Sequence, residues 1–161
     1  MIADFDEFLQ TTSEAEKIAF LLIAHSGEIK STRLQKLSLI VKALLDGKVP
    51  DTHGAYFFGG FSDDVDEGIE SMRSEGYLLY ESGKGYSLTE DGKNLSAILF
   101  KKESRLDDTV KKVTNMFGNL TDKQVTALTY KLFPELTTNS LIKEEMKRVS
   151  ENLSIETFKL E

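Results

Sequence analysis

Three features of the sequence predict a mainly α protein with a small β-hairpin: a winged helix-turn-helix-like domain followed by a helical extension. The first is the order of apolar patterns before residue 100, which runs helix, short strand, helix, loop, helix, hairpin, helix. The second is the hairpin, EGYLLYESGKGYSLTEDGKNL (75–95), where two apolar runs are pinched around Gly-Lys-Gly. The third is a set of amphipathic stretches after residue 100, one with its own capping signal.

Ser13-Glu14-Ala15-Glu16 fits a capping box, and Ala15, Ile18, Ala19 and Leu22 follow at helical spacing as far as Gly27. Glu28-Ile29-Lys30 reads as one short strand. Thr32-Arg33-Leu34-Gln35 reads as a second capping box, opening a helix whose apolar face is Leu34, Leu37, Val41, Leu44 and Leu45 and whose stop is Gly47. Residues 48–61 break the pattern with Pro50, Gly54 and Gly59-Gly60 around the aromatic run Tyr56-Phe57-Phe58, which is expected to pack. These fourteen residues exceed the turn of roughly three or four in a simple helix-turn-helix.

Ser62 is the expected cap of a third helix, with Val65, Ile69 and Met72 on its inner stripe and Gly76 at its end. The strands then run Tyr77 to Glu81 and Tyr86 to Leu88 around Ser82-Gly83-Lys84-Gly85, and Thr89 caps a fourth helix carrying Leu95, Ile98 and Leu99. Beyond it, Leu106, Val110, Val113 and Phe117 form a stripe stopped by Gly118. Thr121-Asp122-Lys123-Gln124 forms a third capping box before Val125, Leu128, Leu132 and Phe133. A last helix is expected at Ile142, Met146, Val149 and Leu153. No Pro/Gly/Ser linker lies near residue 100. The expected division is a winged-helix part, 1–100, and an extension, 101–161, that docks on it or mediates a homodimer.

Composition narrows the function. Hydrophobic residues at 40% and charged residues at 29% describe a folded chain, and the absence of cysteine excludes disulfides, thiolate zinc sites and cysteine nucleophiles. The apolar stretch Ile18–Ala24 is too short for a membrane span, and the acidic start MIADFDEF does not read as a signal peptide, so a cytoplasmic location is expected. Residues 1–100 carry 9 Lys/Arg against 17 Asp/Glu, a net of −8, whereas residues 101–161 carry 11 against 10, a net of +1. The winged-helix part is the acidic part, which disfavours non-specific nucleic-acid binding.

Four stretches carry a resemblance. TRLQKLSLIVKALL (32–45), with YFFGGFSDDVDEGIESMRSEGYL (56–78) and YSLTEDG (86–92), resembles the YwgA-like winged-helix proteins, relatives of the Panacea domain of SocA-type antitoxins. LTYKLFPELTTNSLIKEEM (128–146) is similar to elements near the end of those proteins. Gly60 stands where their aromatic turn usually has proline. The resemblance implies a winged-helix-like fold, a regulatory or antitoxin role and no catalytic residues.

Two site readings follow. In the first, a winged-helix transcriptional regulator contacts duplex DNA phosphates through Lys30, Arg33, Lys36, Arg73 and the wing-tip Lys84. In the second, an antitoxin-like interaction module offers Asp63, Asp64, Asp66, Glu67 and Glu70 of its third helix to a protein partner. Six carboxylates against one arginine between Ser62 and Glu75 argue against major-groove reading by that helix. The basic cluster Lys101, Lys102, Arg105, Lys111 and Lys112 is interleaved with Glu103, Asp107 and Asp108, as expected of intrahelical pairs. His25 and His53 stand outside any metal-binding spacing, and no phosphate loop or nucleophile motif occurs. No enzyme activity, cofactor or metal is expected.

Overall fold

The computed structural model describes residues 5–47, 54–56, 59–61 and 63–133. Within them run α1 (Phe5–Thr11), α2 (Glu14–Ser26), α3 (Ser31–Asp46), β1 (Gly54–Tyr56), β2 (Gly59–Phe61), α4 (Asp63–Ser74), β3 (Leu78–Glu81), β4 (Gly85–Leu88), α5 (Glu90–Lys102), α6 (Ser104–Phe117) and α7 (Asp122–Leu132). The protein is mainly helical, with a winged-helix order from α2 to α5 followed by further helices. The expected cap Ser62, the aromatics Phe57 and Phe58, and the helix expected around 142–153 lie outside the described residues.

α2 is the axis of the core. Its expected stripe is buried, but so are Phe20, Leu21 and Ile23, because α3 and α4 cover it together with α5, α6 and β4. A helix apolar on all sides is stable only in such a central place. Ser13 caps it, its Oγ accepting from the Glu16 N–H at 3.2 Å. α3 departs from its expected cap: it begins at Ser31 with Lys30 at the N-cap, and no side chain caps it. The thirty-second residue is therefore already helical. Its burial is also wider than one stripe, an unbroken run from Leu34 to Val41. α6 and α7 pack against α3 in addition to α2.

The wing is built as the hairpin pattern predicts. β3 and β4 pair antiparallel with Leu78 opposite Leu88 and Glu81 opposite Gly85, leaving Ser82-Gly83-Lys84 as the turn. Ile29, in the expected short strand, joins as a one-residue bridge: it exchanges both main-chain hydrogen bonds with Tyr86, at 3.0 and 2.8 Å. Gly85 makes this approach possible. Its φ is +96°, and a Cβ there would lie 2.2 Å from the Ile29 carbonyl oxygen. Thr89 locks the far end, accepting from the Gly92 N–H at 3.0 Å and donating to the Gly76 carbonyl at 2.6 Å.

The segment between α3 and α4 contains a second hairpin that the residue pattern does not predict. β1 pairs with β2 through Gly54 opposite Phe61 and Tyr56 opposite Gly59, and β2 packs against α3 and α7. Glycine-rich strands of three residues lack the alternation by which strands are recognised.

The described part of the extension shares the core. Leu106, Val110, Val113 and Phe117 of α6 are buried with the α2 and α3 side chains, and α7 opens on the expected reciprocal box between Thr121 and Gln124. No helix among the described residues is long and apolar enough to cross a membrane.

Candidate functional site: the acidic helix and the wing

α4 presents two chemically different faces. Val65, Ile69 and Met72 are buried against the core, while Asp63, Asp66, Glu67 and Glu70 are exposed. The spacing i, i+4, i+7 of the apolar residues forces this division, since Asp66, Glu67 and Glu70 between them rotate outward while Gly68 stays on the inner side. Asp64 is in the same helix, but its side chain lies outside the described residues. Glu75 extends the acidic face past the helix end.

α4 is held close to α2 at Gly68. A Cβ there would fall 2.2 Å from Cγ of Glu16 and 3.1 Å from its Cβ. Glu16 is itself held at the start of α2, where its carboxylate accepts from Ser13 Oγ at 3.2 Å. Gly68→Ala is expected to cost about 2 kcal/mol, the usual scale of overpacking. Chemical denaturation checks this; an unchanged midpoint would show that α4 yields freely. Beside this contact a groove of about 870 Å³ opens between α1, the start of α2 and α4. Phe8, Met72 and Tyr77 contribute to its walls with Glu7, Glu67 and Glu75.

On its other flank α4 meets the wing. Tyr86 is buried, with its hydroxyl 3.5 Å from Glu70 Oε1. Burial first, and then the carboxylates of Glu70 and Asp66, push its phenol pKa up from the ordinary value. The Tyr80 ring lies 5.0 Å from that of Tyr86, and the Arg73 guanidinium stands over Tyr80 at 5.4 Å while lying 3.8 Å from Glu70. Leu79 and Tyr80 of β3 are exposed, at 57% and 47%.

The five cations expected on a phosphate-contacting rim are dispersed. Lys30 is exposed beside the wing, where the close packing of Gly85 on the Ile29–Lys30 backbone brings it near Lys84. Lys84 is exposed and lies 3.5 Å from Glu81. Arg73 is committed to Glu70 and Tyr80. Arg33 turns the opposite way: Nη2 donates to the Phe117 carbonyl at 2.6 Å, and Nη1 donates to the Leu120 carbonyl at 2.8 Å and to Asp122 Oδ1 at 3.2 Å. Lys36 is 3% exposed, and burial lowers its pKa to about 8. Arg33 is thus absorbed by the turn between α6 and α7, and Lys36 is buried within the fold. The three-residue spacing that places them on one side of a helix does not reveal what covers that side.

Two acids of the C-terminal cluster also pair across the fold, contrary to the expectation of intrahelical pairs. Glu103 accepts from Lys17 at 2.9 Å, and Asp107 lies 2.5 Å from His25 Nε2, whose ring stacks on Phe100 at 4.9 Å. Both partners belong to α2, so the start of α6 is joined to the core axis by an ion pair and a side-chain hydrogen bond as well as by its apolar stripe. Separations of 86 and 82 residues leave no local signal for these pairs. Asp107, three residues before the buried Val110, is the one hint. Among the described residues no group of three potential metal ligands comes together. Compared with protein-family models, curated proteins and solved structures, the chain matches none.

Proposed function

We propose that the protein is a non-enzymatic interaction module of antitoxin-like type, whose acidic α4 and adjoining wing receive a cationic segment of a protein partner. The single observation that carries this reading is the sorting of charge on the winged-helix scaffold. Asp63, Asp66, Glu67 and Glu70 face solvent from the helix that a DNA reader lays in the major groove, whereas Arg33 and Lys36 are turned into the fold. Carboxylates at that position repel phosphates and attract Lys and Arg. Tyr80 adds an aromatic face already used by Arg73, a template for a second guanidinium.

The test is titration with a lysine- and arginine-rich peptide. Binding at about 50 mM salt should weaken sharply by about 200 mM, as screening dictates. Neutralising Asp66→Asn, Glu67→Gln and Glu70→Gln together should weaken it about tenfold or more while leaving the fold intact. No binding at the lower salt, or equal binding by the neutralised protein, overturns the reading.

A second reading rests on the adjacency of Lys30 and Lys84 at the wing, which favours contact with duplex DNA phosphates. Two such contacts give a slope of log affinity on log salt of about −1.8. Binding of random duplex with that slope, lost in Lys84→Ala, supports it. Absence of duplex binding at low salt removes it.

A further inference from the structure

We infer that the outer face of α6, with the last turn of α5 at its head, is a contact surface for the phosphate backbone of duplex nucleic acid. This goes beyond the reading of α4 and stands on other residues.

The surface arises because the fold withdraws the acids that interleave with the bases in sequence. Lys101, Lys102, Arg105, Lys111 and Lys112 alternate there with Glu103, Asp107 and Asp108. Asp107 is buried against His25, and Glu103 is held by Lys17 of α2. The five cations stay exposed, outside the buried stripe of Leu106, Val110, Val113 and Phe117. Asp108 is the one acid that α6 exposes.

Other exposed cations are tied to neighbours: Lys84 to Glu81, Lys93 to Glu90 and Arg73 to Glu70. Lys101, Arg105, Lys111 and Lys112 make no ion pair among the described residues. Arg105 borders a small cleft with Glu14 and Glu103, but those carboxylates are already paired with Lys42 and Lys17. Asp108, three and four residues before Lys111 and Lys112, offsets one of them. The face therefore stays positive on a chain whose net charge is −7. It also lies apart from the α4 carboxylates: α6 packs on α2, α3 and α5, whereas α4 packs on α2 and β3.

The polar character of the face selects the occupant. Among the described residues the exposed large hydrophobics are Leu79 and Tyr80, both on β3. A helix that lies in a membrane surface inserts apolar side chains beneath the headgroups, and a protein interface centres on apolar and aromatic residues. Between its cations α6 instead exposes Ser104 and Asn115, whose hydroxyl and amide can donate to phosphate oxygens. Arg105 and Lys112, seven residues apart, are separated by about 10 Å along the helix, the rise of about three base pairs.

The experiment measures fluorescence anisotropy of a labelled random-sequence duplex DNA of about 20 base pairs, titrated with the full chain from about 25 to 100 mM salt. Contacts from Lys101, Arg105, Lys111 and Lys112 predict a slope of log affinity on log salt of about −3.6. Lys111→Gln with Lys112→Gln should halve it to about −1.8, and Lys30→Ala with Lys84→Ala should leave it unchanged. No binding at the lowest salt overturns the inference. A slope that the Lys111/Lys112 variant keeps also overturns it, and loss of binding in the Lys30/Lys84 variant then assigns the duplex to the wing. Tighter binding to phosphatidylserine vesicles than to the duplex assigns the face to a membrane surface and overturns it as well. The α4 reading, whose probe is a cationic peptide, survives each of these results.

Discussion

Arg33→Met is expected to lower the unfolding free energy by about 3 kcal/mol, through the turn between α6 and α7 rather than through any surface role. The guanidinium holds two carbonyls at the end of α6 and just beyond it, Phe117 and Leu120, and the first carboxylate of α7, Asp122. A helix end leaves its last carbonyls without intrahelical partners, and Arg33 supplies the donors from a third helix. Methionine fills a comparable volume but withdraws the donors from the Leu120 carbonyl and the Asp122 carboxylate, and leaves the Phe117 carbonyl with the Leu120 N–H alone. Arg33→Lys keeps the charge yet lacks the planar fork that reaches three acceptors, so about half of the loss should remain. Denaturant unfolding measures the free energy, and amide exchange at 117–122 localises it. A methionine variant of unchanged stability would return Arg33 to the list of free surface cations.

Lys36→Met is expected to act in the opposite direction, raising stability at neutral pH by about 1 kcal/mol, the burial penalty less the interaction that the lysine makes in the fold. In the fold the lysine pKa falls to about 8 from 10.5, caused by burial. The unfolded chain therefore binds the proton more tightly than the folded one. Between pH 10.5 and 8 the unfolded state gains a proton that the folded state resists, so stability falls as pH falls through this window. Below the folded value the full penalty is present, about 1.4 kcal/mol for each of roughly two and a half pH units. Methionine removes the penalty and keeps most of the packing. The wild-type protein should gain stability as pH rises from 8 to 10.5, and the variant should show a flatter profile over that range. Parallel profiles, or a destabilised variant, would mean that contacts made by the Lys36 ammonium outweigh its desolvation.

The opposite signs expected of these substitutions, three residues apart on one helix, mark where local pattern stops being informative. Their spacing predicts a shared side of α3. The sequence contains no statement that α6 and α7 close over it, because the apolar stripe of α6 begins some seventy residues later. What covers Arg33 supplies carbonyl acceptors, whereas burial sets the direction of the Lys36 pKa. The same blindness hid the pairing of His25 with Asp107 and of Lys17 with Glu103, and it gave α2 one buried stripe where the fold buries it almost all round.

The parts of the protein governed by neighbours in the chain were legible from residues alone. Ser13, Thr89 and Thr121 cap helices because a hydroxyl reaches an N–H three residues on, wherever the helix is placed. The wing follows from two short apolar runs and a glycine-lysine-glycine turn, and the inner and outer faces of α4 follow from a period of 3.6. The acidity of its exposed face was therefore in the sequence. The fate of the opposing cations was decided only by tertiary packing, since a lysine or arginine on a helix becomes surface, buttress or buried charge according to which distant element lies over it.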